Sequence, residues 1–230
     1  MQTIRAITLD LDDTLWPFAP IGARIEQTLH AWFETHSAET ARMFPPAAMQ
    51  TLREQVVEAH PDLAHDMTRL RKLTIERALK DSGADVALAA DAYAQFFMVR
   101  NQIEFYAGAR EALETLAAHL PLCSLSNGNA DLDAIGIGHL FVSRVGAREF
   151  GAAKPDPRIF HHACSLLGEA PENVLHIGDD LAADVHGAQA AGMPVCWIHP
   201  APRQAGVADY QFDSLADFAD AFVRARSKDA

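Results

Sequence analysis

The sequence predicts an α/β protein: an open parallel sheet with helices on both faces, interrupted after its first strand by a helical insertion. Three observations predict it. Short apolar runs recur along the chain. From residue 122 onward each run is preceded by a segment with apolar residues at three- and four-residue spacing. The long stretch before residue 122 holds several helical patterns and no convincing strand.

In order, Ile4 to Leu9 is the first strand. The insertion spans residues 17 to 106, with helices expected at Ile21 to Phe33, Met49 to Ala59, Met67 to Asp81 and Val86 to Val99. The turn-rich pieces Phe44-Pro45-Pro46, His60-Pro61-Asp62 and Asp81-Ser82-Gly83 separate them, and Tyr106-Ala107-Gly108-Ala109 marks re-entry into the sheet. Strands are then expected at Leu122 to Leu125, Phe141 to Val145, Val174 to Ile177 and Pro194 to Ile198. Helices are expected at Glu111 to His119, Pro157 to Leu167 and Asp184 to Ala191. No internal repeat is visible.

Composition narrows the function classes. Nineteen basic residues against 31 acidic ones give a formal net charge of -12, which argues against a phosphate backbone as partner, so no nucleic acid is expected. No window reaches the ~18 apolar residues of a membrane span, and the start, Met1 to Arg5, has no long apolar stretch, so no membrane partner and a cytoplasmic location are expected. Cys123, Cys164 and Cys196 are odd in number and widely spaced, as reduced, buried thiols would be. Against the acidic background, Arg69, Arg71, Lys72, Arg77 and Lys80 cluster around Glu76 alone, a local basicity suited to an anionic substrate. Oligomeric state is not written in the sequence.

The chemistry-bearing letters begin at Asp10-Leu11-Asp12-Asp13-Thr14, where two carboxylates two positions apart follow the first strand. Residues so spaced on extended backbone point the same way, and like charges that close require a cation, a proton or both. Further on come Ser126-Asn127-Gly128, Lys154-Pro155, and Gly178-Asp179-Asp180 with Asp184. Asp10, Ser126 and Asp179 all fall at strand carboxyl ends, where open parallel sheets bind ligands. Each piece alone is more often an ordinary turn, loop or solvated pair.

Together and in this order, the four pieces resemble the haloacid dehalogenase superfamily of aspartate-nucleophile phosphohydrolases. The resemblance implies a Rossmann-like parallel-sheet core of residues 1–16 and 107–230, with residues 17–106 as a helical cap domain. It further implies Asp10 as nucleophile, forming an acyl-phosphate, and Asp12 as the acid that protonates the leaving alkoxide and then the base for water. Magnesium would be bridged by Asp10, the backbone carbonyl of Asp12 and Asp179, with Asp184 supporting it through water. Ser126, Asn127 and Gly128 would offer donors to the phosphate, Lys154 a fixed positive charge, and Thr14 would fix the turn. Asp180 has three possible roles: binding metal, bracing Lys154, or closing its own turn.

A dehalogenase of the same superfamily attacks carbon and has no use for a second carboxyl acid, so Asp12 favours phosphate chemistry. His60 to Arg69, with Ser126 to Asn129 and Leu175 to Pro200, is similar to a bacterial phosphatase group acting on FMN, members of which also dephosphorylate 5-amino-6-(5-phospho-D-ribitylamino)uracil. His65, Arg69 and Lys72 lie near one another by helical spacing and form either a polar substrate-reading surface or a solvated face with local ion pairs. The expected partner is a small phosphorylated metabolite. Sugar phosphates, nucleotides and a phospho-accepting receiver domain remain as alternatives, the last disfavoured by Asp12 and the large insertion. Two other signals are set aside: Gly136-Ile137-Gly138 lacks the third glycine of a dinucleotide loop, and adjacent His161-His162 cannot share a metal as i, i+4 residues can.

Overall fold

A computed structural model describes residues 3–199 and 205–227. Pro200, the end of one stretch compared above, lies outside the described residues. In chain order, strand β1 (Ala6–Leu9) leads into helices α1 (Phe18–His36), α2 (Ala38–Met43), α3 (Pro46–Ala59), α4 (Met67–Asp81) and α5 (Ala89–Arg100). Then come α6 (Ala109–His119), β2 (Leu122–Ser126), α7 (Leu132–Ile135), β3 (Ser143–Gly146), α8 (Ala147–Phe150), α9 (Pro157–Leu167) and β4 (Val174–Gly178). A π-helical turn, Leu181–His186, runs into α10 (Gly187–Ala190), followed by β5 (Val195–Ile198), β6 (Tyr210–Phe212) and α11 (Leu215–Ser227).

Among the described residues the six strands are all parallel, in the order β3-β2-β1-β4-β5-β6. The chain builds outward from β1 in one direction through β2 and β3, then returns to its other side for β4, β5 and β6. That reversal beside β1 leaves a crevice at its carboxyl end, the usual ligand position of such a sheet. Two expected strands begin later than the apolar runs suggested, at Ser143 and Val195, and β6 and α11 lie beyond the last expected element.

The chain divides into two compact units: Met1–Pro17, Glu104–Gly128 and Gly136–Ala230 form the sheet unit, and Phe18–Ile103 with Asn129–Ile135 the helical one. Asn129–Ile135 joins the helical unit through polar bonds. Arg100 Nε donates to Asn129 Oδ1 at 3.1 Å, and Asn101 Oδ1 accepts from Asp131 N–H at 2.8 Å.

In the sheet unit, Ala6, Cys123, Leu125, Val174, Val195 and Trp197 point to one face and pack on Ile159, Phe160, Ala163 and Cys164 of α9. Local sequence shapes α9 well. Asp156 caps it by accepting from Arg158 N–H at 2.9 Å, Pro157 occupies its first position, and Gly168, at φ 71°, ends it. Ile7, Leu9, Leu175 and Ile177 alternate to the opposite face. In α6 and α11, which pack together, Leu113, Leu116, Phe218 and Phe222 are buried.

In the helical unit, α1 buries Ile21, Ile25, Leu29 and Phe33 at four-residue spacing, one stripe of an amphipathic helix. It packs on α5, and α3 packs on α4. The expected Val86 to Val99 helix is a 3₁₀ turn, Val86–Leu88, followed by α5, because Asp85 caps the turn by accepting from Ala87 N–H at 2.9 Å. Among the described residues no helix is long and apolar enough to cross a membrane.

Candidate active site

β1 ends at Leu9, so Asp10 is the first residue beyond the sheet's central strand, and its N–H still donates to Ile177 O of β4 at 2.9 Å. Its carboxylate is buried, with 12% side-chain exposure. Lys154 Nζ donates to Asp10 Oδ1 at 2.5 Å and to Asp184 Oδ1 at 2.6 Å, and is itself 2% exposed. One buried ammonium therefore holds two carboxylates brought from residues 144 and 30 positions away.

Asp184 reaches this position because Gly178 carries no side chain: a Cβ there would lie 2.3 Å from Asp184 Cγ. The π-helical turn that bears Asp184 starts at Asp180, whose Oδ1 accepts from Ala182 and Ala183 N–H at 2.8 and 2.6 Å. Among the three roles open to Asp180, the observed bonds are those that close its own turn, while Lys154 is held by Asp10 and Asp184. Asp180 N–H also donates to Asp184 Oδ2 at 3.0 Å.

Asp179 completes a cluster: carboxylate oxygens of Asp10, Asp179 and Asp184 all lie within 4.8 Å of one another. Thr14 donates its hydroxyl to Asp179 Oδ1 at 3.0 Å, and Trp197 Nε1 donates to Asp179 O at 2.7 Å, fixing the residue from both sides. A cavity of about 560 Å³ in the sheet unit opens beside Asp179 and Thr14, lined also by Tyr106, Ile198 and His199.

Asp12 lies two residues beyond Asp10, past the end of β1, and the residue after it, Asp13, takes φ 57°. Asp12 Oδ1 accepts from the Trp16 indole N–H at 2.8 Å, and Asp13 N–H donates to Trp16 O at 2.7 Å, closing a tight loop.

On the β2 side, Ser126 Oγ accepts from Gly128 N–H at 3.0 Å, shaping the turn. Asn127 grips the backbone of Lys154 with both ends of its amide: Nδ2 donates to Lys154 O at 2.9 Å and Oδ1 accepts from Lys154 N–H at 2.8 Å. The asparagine thus anchors the lysine's main chain while the lysine's ammonium is held by the carboxylates.

Electrostatics follow from this crowding. Burial pushes Asp10 well above the usual carboxylate range, with Lys154 opposing and Asp184 and Asp179 adding to the rise. Asp179 is pushed up to about 6, by burial and then by the charge on Asp184. Burial also acts to raise Asp184, but Lys154 and His176 outweigh it and hold it below the ordinary range. Lys154 is raised, since Asp10 and Asp184 overcome its own burial. Three carboxylates around one ammonium leave an excess of negative charge, which a hard, oxygen-seeking divalent cation would balance. Asp10, Asp179 and Asp184 form a possible metal site, and their all-oxygen donor set fits such an ion.

The sequence missed His176 and Thr8, both fully buried. Their signal was present: each is a polar letter inside an otherwise apolar strand.

The basic stretch of the helical unit is already partnered in part. Arg71 is buried and meets Glu26 at 2.9 Å, Arg69 pairs with Glu76 at 3.3 Å and Arg77 with Asp81 at 3.3 Å. Lys72 Nζ lies 4.5 Å from the Tyr93 ring centroid. His65 lies just before Asp66, whose side chain caps α4 by accepting from Arg69 N–H. The set-aside histidines pack locally, His161 Nε2 at 3.1 Å from Ala191 O and His162 stacked on Phe150.

A family model for haloacid dehalogenase-like hydrolases matches residues 4–192. The chain belongs to that family. This haloacid dehalogenase-like chain is 36% identical over 201 residues to the 5-amino-6-(5-phospho-D-ribitylamino)uracil phosphatase YigB of Escherichia coli, covering 86% of this chain and 84% of that protein. It is 27% identical over 220 residues to a phosphoserine phosphatase of Thermus thermophilus, covering 85% and 88%. Among solved structures it resembles a 2-haloacid dehalogenase from Pseudomonas syringae, with TM-score 0.87, 29% identity and 96% and 99% of the two chains covered. With phosphatases as relatives, it is a phosphoric monoester hydrolase of the haloacid dehalogenase-like family.

Proposed function

We propose that the protein is a magnesium-dependent phosphatase of small phosphorylated metabolites that works through an aspartyl-phosphate at Asp10, and that its substrate is a flavin-pathway ribityl phosphate, either 5-amino-6-(5-phospho-D-ribitylamino)uracil or FMN. The observation that carries the chemistry is the placement of Lys154 Nζ between Asp10 and Asp184, within a cluster that Asp179 completes. The substrate choice rests on YigB, whose name specifies the ribitylamino-uracil phosphate, and on the His60 to Arg69 stretch.

Asp10, Asp179, Asp184 and the backbone carbonyl of Asp12 would hold the magnesium, which supplies charge neutralisation at the transferring phosphoryl group. Asp10 Oδ attacks phosphorus, forming a P–O bond to the carboxylate as the bond to the leaving alkoxide breaks. Asp12 gives that alkoxide a proton, held in place by the Trp16 indole. Water then attacks phosphorus, Asp12 takes its proton, and Asp10 is released as carboxylate with inorganic phosphate. Lys154 keeps its charge throughout and offsets the repulsion between the anionic nucleophile and an anionic substrate. Ser126 and the turn it shapes offer donors to the phosphate, and Gly128 permits close approach. His65, Arg69 and Lys72 are assigned to reading the leaving group.

The substrate is tested by comparing kcat/KM across a panel of ribityl, sugar and nucleotide phosphates. A flavin-pathway ester is expected at the head of the panel, and a sugar phosphate or nucleotide there would overturn the assignment. Single turnovers in ¹⁸O-water test the chemistry. Attack at phosphorus puts the label in released phosphate and none in Asp10, whereas label in the Asp10 carboxylate means that water attacks its carboxyl carbon and contradicts the hydrolysis step proposed.

A further inference from the structure

Thr8 and His176 occupy paired register positions on β1 and β4, at the centre of the sheet, and both are fully buried. Their strand neighbours on the same face, Ala6 and Val174, are apolar. A buried polar group without a partner costs about 1–3 kcal/mol, so two such residues at these positions need partners. They find them only along one line. Thr8 Oγ1 lies 2.9 Å from His176 Nδ1, and His176 Nε2 lies 3.0 Å from Asp184 Oδ1. The same Asp184 oxygen accepts from Lys154, whose ammonium reaches Asp10.

Proton placement along this line has one solution for a neutral ring. A carboxylate only accepts, so His176 Nε2 must donate to Asp184; Nδ1 is then the acceptor, and Thr8 must donate to it. The ring is also held from the side by Phe160, edge to face at 5.1 Å between centroids. We propose that Thr8 and His176 are positioning residues of the Asp10 site, which lock the Asp184 carboxylate in the rotamer that holds Lys154 against Asp10. Neither residue touches the reacting atoms. With the His176 bond present, Asp184 has three fixed partners, His176 and Lys154 on Oδ1 and Asp180 N–H on Oδ2. Without the bond from Thr8, the Nδ1 edge of the imidazole is no longer held and the ring is free to turn about its Cβ–Cγ bond, so Nε2–H is less well aimed at Asp184 and the carboxylate loses its fixed orientation.

The inference rests on the assignment of Asp10 and Lys154 to phosphate chemistry, and the test separates the two. In the magnesium-free protein, ¹⁵N spectra of His176 should show the Nε2–H tautomer; the Nδ1–H tautomer overturns the proposal. Thr8→Val keeps the side chain's shape and removes the hydroxyl. It should move the ¹⁵N resonance of Lys154 Nζ and lower kcat on p-nitrophenyl phosphate about 10-fold with little change in KM, as loss of an outer partner of an active-site ligand does. Thr8→Ser should restore both. Unchanged kcat and an unmoved Lys154 signal in Thr8→Val, or a Thr8→Ser variant as impaired as Thr8→Val, would show packing alone. If the native protein turns over no phosphate ester, the functional assignment fails by itself, and the tautomer and the Lys154 signal still decide the positioning chain.

Discussion

Lys154 and Arg69 both sit in ion pairs, but in opposite circumstances. The Lys154 side chain is 2% exposed and holds two carboxylates, one of them 1% exposed; Arg69 is 46% exposed and holds one carboxylate, Glu76, itself 37% exposed. An exposed pair like Arg69–Glu76 contributes roughly 0–1 kcal/mol and needs no special explanation. A buried ammonium with two carboxylates costs several kcal/mol in lost hydration, and well-packed apolar residues often serve stability as well or better. Stability therefore gives no reason to keep the Lys154 cluster, whereas the proposed catalysis would. Burial and charge excess, more than the number of charges, mark a place where chemistry is done.

The contrast is broken most forcefully at Lys154. Lys154→Met should leave Asp10 and Asp184 facing each other without a cation, lowering stability by about 3–5 kcal/mol in urea unfolding and kcat by roughly 10²–10³-fold. A variant with native stability and turnover would erase the distinction between the two regions. Asp10→Asn should abolish turnover yet leave stability equal or higher, because burial raises the Asp10 carboxyl and a neutral amide relieves that penalty. Retained turnover in this variant contradicts its role as nucleophile.

The cation site gives a pH signature. Asp179 is raised to about 6 by burial and by Asp184, and a cation must displace its proton. Affinity for magnesium, followed by calorimetry, should fall on acidification through pH 6 as Asp179 takes up a proton, with the raised Asp10 carboxyl acting in the same direction, and chelation should remove turnover reversibly. Affinity that rises on acidification has the wrong sign for this site. The smallest effect belongs to the helical unit. Arg69→Ala should change stability by less than about 1 kcal/mol, and if Arg69 reads the leaving group the change in kinetics should appear in KM with kcat preserved. Loss of kcat on the scale of Lys154→Met would remove the contrast.

Much of this was legible in the letters because the site lies at strand ends, and strand ends are where apolar runs stop at acidic or small polar residues. Asp10, Ser126 and Asp179 were found this way, while Lys154, in a loop before α9, was singled out by the family resemblance. What was not legible depended on contacts across long sequence separations. The sequence assigned Asn127 to phosphate through its backbone N–H, and gave no sign that its side chain clasps the Lys154 backbone 27 residues on. Asp184 was expected to support magnesium through water, and its contact with Lys154, from which its Oδ1 accepts, was not foreseen. His176 was absorbed into the apolar run Val174 to Ile177, although one polar letter on a buried strand requires a partner. β6 has three half-buried residues, too short and too weakly apolar to stand out from a loop.

The central claim is that Asp10 carries the phosphoryl group in mid-reaction. Acid-quenching a single turnover of a phosphate ester, reducing with borohydride and sequencing the peptide by mass spectrometry tests it directly. Reduction of an acyl-phosphate at residue 10, giving homoserine there, is the predicted result; an unmodified Asp10 with phosphate trapped on another residue, or on none, contradicts it.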